Sequence, residues 1–113
     1  MKKVEFKDVK SYKAPKHFDC VSLRVQGKDE TGISKFWMGV THFLPGGGAE
    51  YDYTDSPTEK VYFVLEGEIT VKSDTETFKL KKYDSLYIPP FEGRTIINET
   101  NEPCTMLVAI NYQ

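Results

Sequence analysis

PGGGAEYDYTDSPTEKVYFVLEGEITV, residues 45–71, decides how this sequence reads. A proline and three glycines at 45–48 break the strand before them. A polar, tyrosine-rich stretch follows, then a continuously apolar run at 61–65 that Glu66 and Gly67 turn. An apolar run of that length between turn residues reads as a strand covered on both faces. After the turn Ile69 and Val71 point one way and their neighbours the other, the pattern of a half-buried strand.

Working outward, the same texture continues. Upstream, residues 21–25 alternate, with Val21, Leu23 and Val25 opposite Ser22 and Arg24. KDETG at 28–32 is a polar turn, and 36–44 reads as a strand. Downstream come a hairpin loop at 73–76 and a short strand at 77–80 with Phe78 and Leu80 inward. A strand at 85–88 is stopped by Pro89-Pro90, and further strands are predicted at 94–97 and 105–112, around the polar loop NETNEP. Many short strands with turn signals between them, and no long helical period, predict a sandwich or barrel. Residues 1–20 are more polar and read as an N-terminal arm or edge strand; residues 21–113 read as one barrel domain.

Composition narrows the function classes. The 113 residues suit one domain. Fifteen basic residues against 17 acidic ones give a net charge of −2. With no Lys/Arg block, nucleic acid and acidic membrane surfaces are not implied as partners. No window approaches the ~20 apolar residues of a membrane helix. MKKVEFKDVK has lysines but no apolar run behind them, so it does not read as a secretory signal, and a cytoplasmic setting is expected. Cys20 and Cys104 lack metal-ligand spacing and read as packing thiols.

Residues 45–71 resemble the first motif of the cupin family: a PGG turn, an H-x-H pair, a Glu, then an apolar strand ending at a Gly turn. YDSLYIPPFEGRTIINETNEP (83–103) resembles the second motif, a short strand reaching Pro, a bend, a His and an Asn. VYFVLEGE and DSLYIPP are the strongest matches. The resemblance implies an all-β fold, the double-stranded β-helix or jelly-roll barrel, and a homodimer. In the family three His and one Glu hold a divalent metal inside the barrel. Here Lys60 stands at the Glu position and Arg94 at the second-motif His. Counting back from Val61 puts the H-x-H pair at Thr54 and Ser56; counting forward from PGG puts it at Asp52 and Thr54.

A divalent site needs three or four His, Cys, Asp or Glu donors, and two cations do not ligate. The expectation is therefore no metal and no cofactor. Lys60 and Arg94 either pair internally with Glu50, Asp52, Asp55 or Glu92, or receive a small organic anion, a carboxylate or a phosphorylated or sugar-like acid. Tyr62 shares strand parity with Lys60; Asp52, Thr54 and Ser56 share parity with Glu50, and all are candidate ligand-binding residues. His42 and Lys60 are candidate catalytic residues for a metal-independent isomerase, lyase or decarboxylase on the same site. A cupin with only a structural or partner role, and a metal enzyme using His42, Glu50 and Asp52, complete the alternatives. His17, in the polar arm, reads as exposed, with closure over the barrel mouth as its other reading.

Overall fold

The computed structural model describes all residues, 1–113. After a single 3-10 turn (Phe6–Asp8), the order is β1 (Ser11–Tyr12), β2 (His17–Gln26), the short α1 (Lys28–Thr31), β3 (Phe36–Tyr53), β4 (Lys60–Glu66), β5 (Ile69–Lys72), β6 (Thr77–Leu80), β7 (Ser85–Ile88), β8 (Gly93–Ile97) and β9 (Cys104–Asn111). Every pairing is antiparallel. The result is the expected all-β jelly-roll barrel.

One strand organises it. The first part of β3 lies between β2 and β9, and its second part pairs with β8. From there the sheet continues through β5 to β6, and on the other side from β9 through β4 to β7. The PGGG stretch bends β3 rather than ending it, contrary to the expected break. Gly46 takes a left-handed φ of +80°, and a side chain on Gly48 would strike the Ile96 carbonyl on β8. Glycine lets the strand turn a corner while keeping its ladder bonds.

The core fills one end of the barrel. Phe43, Val64, Ile69 and Cys104 are fully buried and Ile96 nearly so. Burial pushes the Cys104 thiol up to about 11, and both cysteines are free. Along β9 the inward residues Cys104, Met106 and Val108 climb from this core toward the open end.

Two parity expectations change. β4 is not covered on both faces: Tyr62 and Val64 are buried, but Val61 is 41% exposed. On β2 the polar side faces in, with Ser22 3% exposed and Val21 50% exposed. The division at residue 20/21 lies inside β2, which begins at His17.

Candidate functional site

A cavity of about 300 Å³ opens directly against the core. Its floor is Ile96, Met106 and Val108 of the core cluster, with Ile110 packed against them. Its walls carry Lys60 and Tyr62 from β4, Arg94 from β8, Asp52 and Trp37 from β3, and Arg24 from β2. The N-terminal arm crosses its mouth with Tyr12, Lys13, Ala14, Pro15 and His17. The arm is fastened by Ser11 opposite Leu23, by the Glu50 N–H donating to the Lys16 carbonyl at 3.0 Å, and by a Lys16–Asp52 ion pair at 3.3 Å.

The cationic residues are held in specific ways. Arg94 is 6% exposed. Its Nε donates to the Tyr62 hydroxyl at 3.0 Å and its Nη1 to the Glu50 carbonyl at 3.1 Å. Lys60 Nζ donates to Thr54 Oγ1 at 2.9 Å. Neither forms a salt bridge. Asp52 lies opposite Arg94 in the β3–β8 register, yet its carboxylate goes to Lys16. Burial holds Lys60 below the usual lysine range; the Arg94 charge pushes the same way and Asp52 opposes it.

His17 belongs to this site, against the expectation of an exposed residue. Its Nδ1 donates to the Pro15 carbonyl at 2.8 Å, which fixes the tautomer and leaves Nε2 as the acceptor of the neutral ring. The ring stacks on Phe43 at 6.3 Å. Its pKa falls below the ordinary value, first through burial, then through the Arg94 and Lys60 charges, although the Pro15 bond and Asp52 oppose the shift.

The other candidate positions separate. Asp52 and Thr54 fit the forward count from PGG, with Asp52 in the lining and Thr54 on Lys60. Ser56 bonds Thr58 and Gln113 and is not in the lining. Between Ala49 and Asp52 the register slips, which breaks the shared parity and leaves Glu50 exposed with only its carbonyl in the site. His42 does not join the cavity. Its neighbour Thr41 lines it, so the pleat turns His42 to the opposite face, where Nδ1 meets Thr105 Oγ1 at 2.9 Å.

Sequence reasoning missed Arg24, Trp37 and Tyr12. The signal was the parity of Ser22 and Arg24, masked because the valines of β2 suggested the other side as core.

A divalent metal does not fit this donor set. No three His, Cys, Asp or Glu side chains converge anywhere in the chain. The positions that hold ligands in the family carry one carboxylate, one hydroxyl and two cations. His42, Glu50 and Asp52 do not come together.

Comparison with known proteins agrees with this frame. Residues 39–110 match the cupin domain family. A β-D-galactosidase of Mycobacterium tuberculosis is 35% identical over 103 residues, spanning 89% of this chain and 85% of that protein. The polyketide cyclase RemF of Streptomyces resistomycificus superposes with a TM-score of 0.86 at 20% identity, over 100% of this chain and 80% of that one. A sugar phosphate isomerase of the cupin superfamily from Silicibacter pomeroyi gives 0.82 at 20% identity, over 99% and 76%. At such identities the two structures speak to the fold alone. No helix is long and apolar enough to cross a membrane.

Proposed function

The chain belongs to the cupin domain family, and on that premise we propose that its barrel cavity binds a small organic anion, a carboxylate or phosphate on a sugar-sized body, without a metal. One observation carries the reading. Lys60 and Arg94 both line this cavity without salt bridges, and the one carboxylate in its lining is already bridged to Lys16; Arg94 also borders a second, smaller cavity. Charge held away from water without a counter-ion is costly, and an anion supplies what is missing. Arg94 spends Nε and Nη1 on the protein and keeps its Nη2 group for a ligand. The cavity volume of about 300 Å³ sits at the small end of ligand sites. The activity of the mycobacterial relative supports a sugar-like body.

The test is a melting series with galactonate, gluconate, galactose phosphate and neutral galactose. A ligand at a hundredfold excess over its Kd adds about 2.7 kcal/mol. The acids are expected to raise the melting point and galactose is not; Arg94→Met abolishes the shift. Equal shifts from galactose, or none from any acid, overturn the reading.

A second reading, hydrolysis of a β-galactoside, is favoured by the activity of that relative. Most glycosidases use two carboxylates, and here Asp52 is the only one in the lining. Turnover of a nitrophenyl β-galactoside that disappears in Asp52→Asn would support it. Absence of turnover leaves the binding reading alone.

A further inference from the structure

Arg24 stands in the cavity wall apart from Lys60 and Arg94. In the register it lies level with Gly39, Gly39 with Val108, and Val108 with Tyr62. Three strand spacings, about 14 Å of curling sheet, therefore separate the Arg24 backbone from that of Tyr62, whose hydroxyl supports Arg94. The two guanidinium groups approach the cavity from different walls.

The Arg24 group is held by aromatic rings alone. Its central carbon lies 4.8 Å from the Tyr12 ring centroid and 4.8 Å from that of Trp37. Those rings meet edge to face at 6.0 Å. Such contacts orient a guanidinium without neutralising it. Arg24 makes no salt bridge. Glu30, which shares the space above Gly27 with the Arg24 stem, does not pair with it. Nε of Arg24 is the one buried side-chain polar atom without a partner. The terminal amino groups donate to no protein acceptor either, whereas Arg94 has two. A fixed, uncompensated guanidinium in a cavity wall is short of an acceptor.

We propose that the ligand carries two acid groups, one held by Arg94 and Lys60 and the other by the amino groups of Arg24 against Tyr12 and Trp37. The proposal rests on the reading of the cavity as an anion site and narrows it to short molecules with two acid groups: a dicarboxylate, or a sugar acid bearing a phosphate. Lys13, also in the lining, adds to the positive potential at the mouth.

Trp37 is the only tryptophan, so its fluorescence reports binding at Arg24 directly. The full chain is titrated with matched probes: glutarate against its monomethyl ester, and phosphogluconate against gluconate and glucose phosphate. The two-acid probe of at least one set is expected to bind roughly tenfold more tightly than its one-acid counterparts, through the added charge-assisted bonds. Arg24→Gln removes most of that advantage, weakening the two-acid probes by a larger factor than the one-acid probes; Arg24→Lys, which keeps the charge should the glutamine variant fail to fold, retains part of it. If one-acid probes bind in an Arg94-dependent way and the second acid adds nothing, this proposal falls and the anion reading stands. Equal weakening of one- and two-acid probes by Arg24→Lys also overturns it, because Arg24 would then only shape the wall. If no probe binds, both readings fall.

Discussion

Replacing Arg94 by Met separates what this residue does for the fold from what it does for a ligand. The Tyr62 side chain is 3% exposed, and the Arg94 Nε is its hydroxyl's hydrogen-bond partner. Arg94→Met strands that hydroxyl; Tyr62→Phe strands the Nε instead. Each single change leaves one polar group buried without a partner, whereas the double variant removes both ends of the bond. A hydrogen bond to a charged group contributes about 1.5–3 kcal/mol, so a double-mutant cycle by urea denaturation is expected to show a coupling of about that size. The double variant should therefore be less destabilised than the sum of the two single variants by that amount, with unchanged m-values. Binding behaves differently: every variant lacking Arg94 loses the anion-induced rise in melting point, the double variant included. Single effects that simply add, within about 0.5 kcal/mol, would refute the hydrogen-bond assignment. A double variant that still responds to the anion would refute the anchoring role.

Three further outcomes follow from other parts of the molecule. His17 titrates below its ordinary value in the folded chain, so the unfolded chain holds more protons between the lowered pKa and the usual value of about 6.5. Stability therefore rises with pH across that window and falls on acidification through it. His17→Gln should flatten this limb, and NMR titration should find the imidazole pKa closer to normal in Arg94→Met. Gly48→Ala drives a methyl against the Ile96 carbonyl and is expected to cost about 1–3 kcal/mol in urea denaturation. The outer face of the β2–β3–β9–β4–β7 sheet exposes Val21 at 50% and Val61 at 41%, beside Leu23, Leu107 and Phe63 in register. The homodimer expected from the cupin resemblance would use this apolar face; sedimentation should find a dimer that Val61→Asp dissociates, and a monomeric wild type would contradict it.

The barrel was legible because its strongest cues are local. Residues 61–71 and 84–90 carry apolar strands closed by glycine or proline, and those cues survive any register error. Lys60, Tyr62 and Arg94 were legible for the same reason, since they are counted from strands that stay in register. The stretch at 50–56 was not, because the slip between Ala49 and Asp52 turns alternate residues over and ends the use of parity. His42 was misplaced by a single residue. Both parities of β3 carry large apolar side chains, Trp37 and Phe43 on one and Met38, Val40 and Leu44 on the other, so the sequence offers no reason to prefer Thr41 as the inward one. Arg24 was hidden for a different reason: its parity with Ser22 was legible, but the apolar residues of β2 suggested the opposite face as core. His17 was read first as exposed because its place over the cavity depends on pairing of the arm and β2 with distant β3, a tertiary event. The PGGG stretch misled because glycines that permit a break also permit a bend.

The anion pocket between two basic side chains is tested most directly by a crystal grown with selenate, whose anomalous signal marks an anion without ambiguity. The account predicts a selenium peak inside the barrel, within hydrogen-bond reach of both Lys60 Nζ and the Arg94 guanidinium, and its disappearance in Arg94→Met. Selenate found only on surface lysines, or a metal ion coordinated at that place, would contradict it.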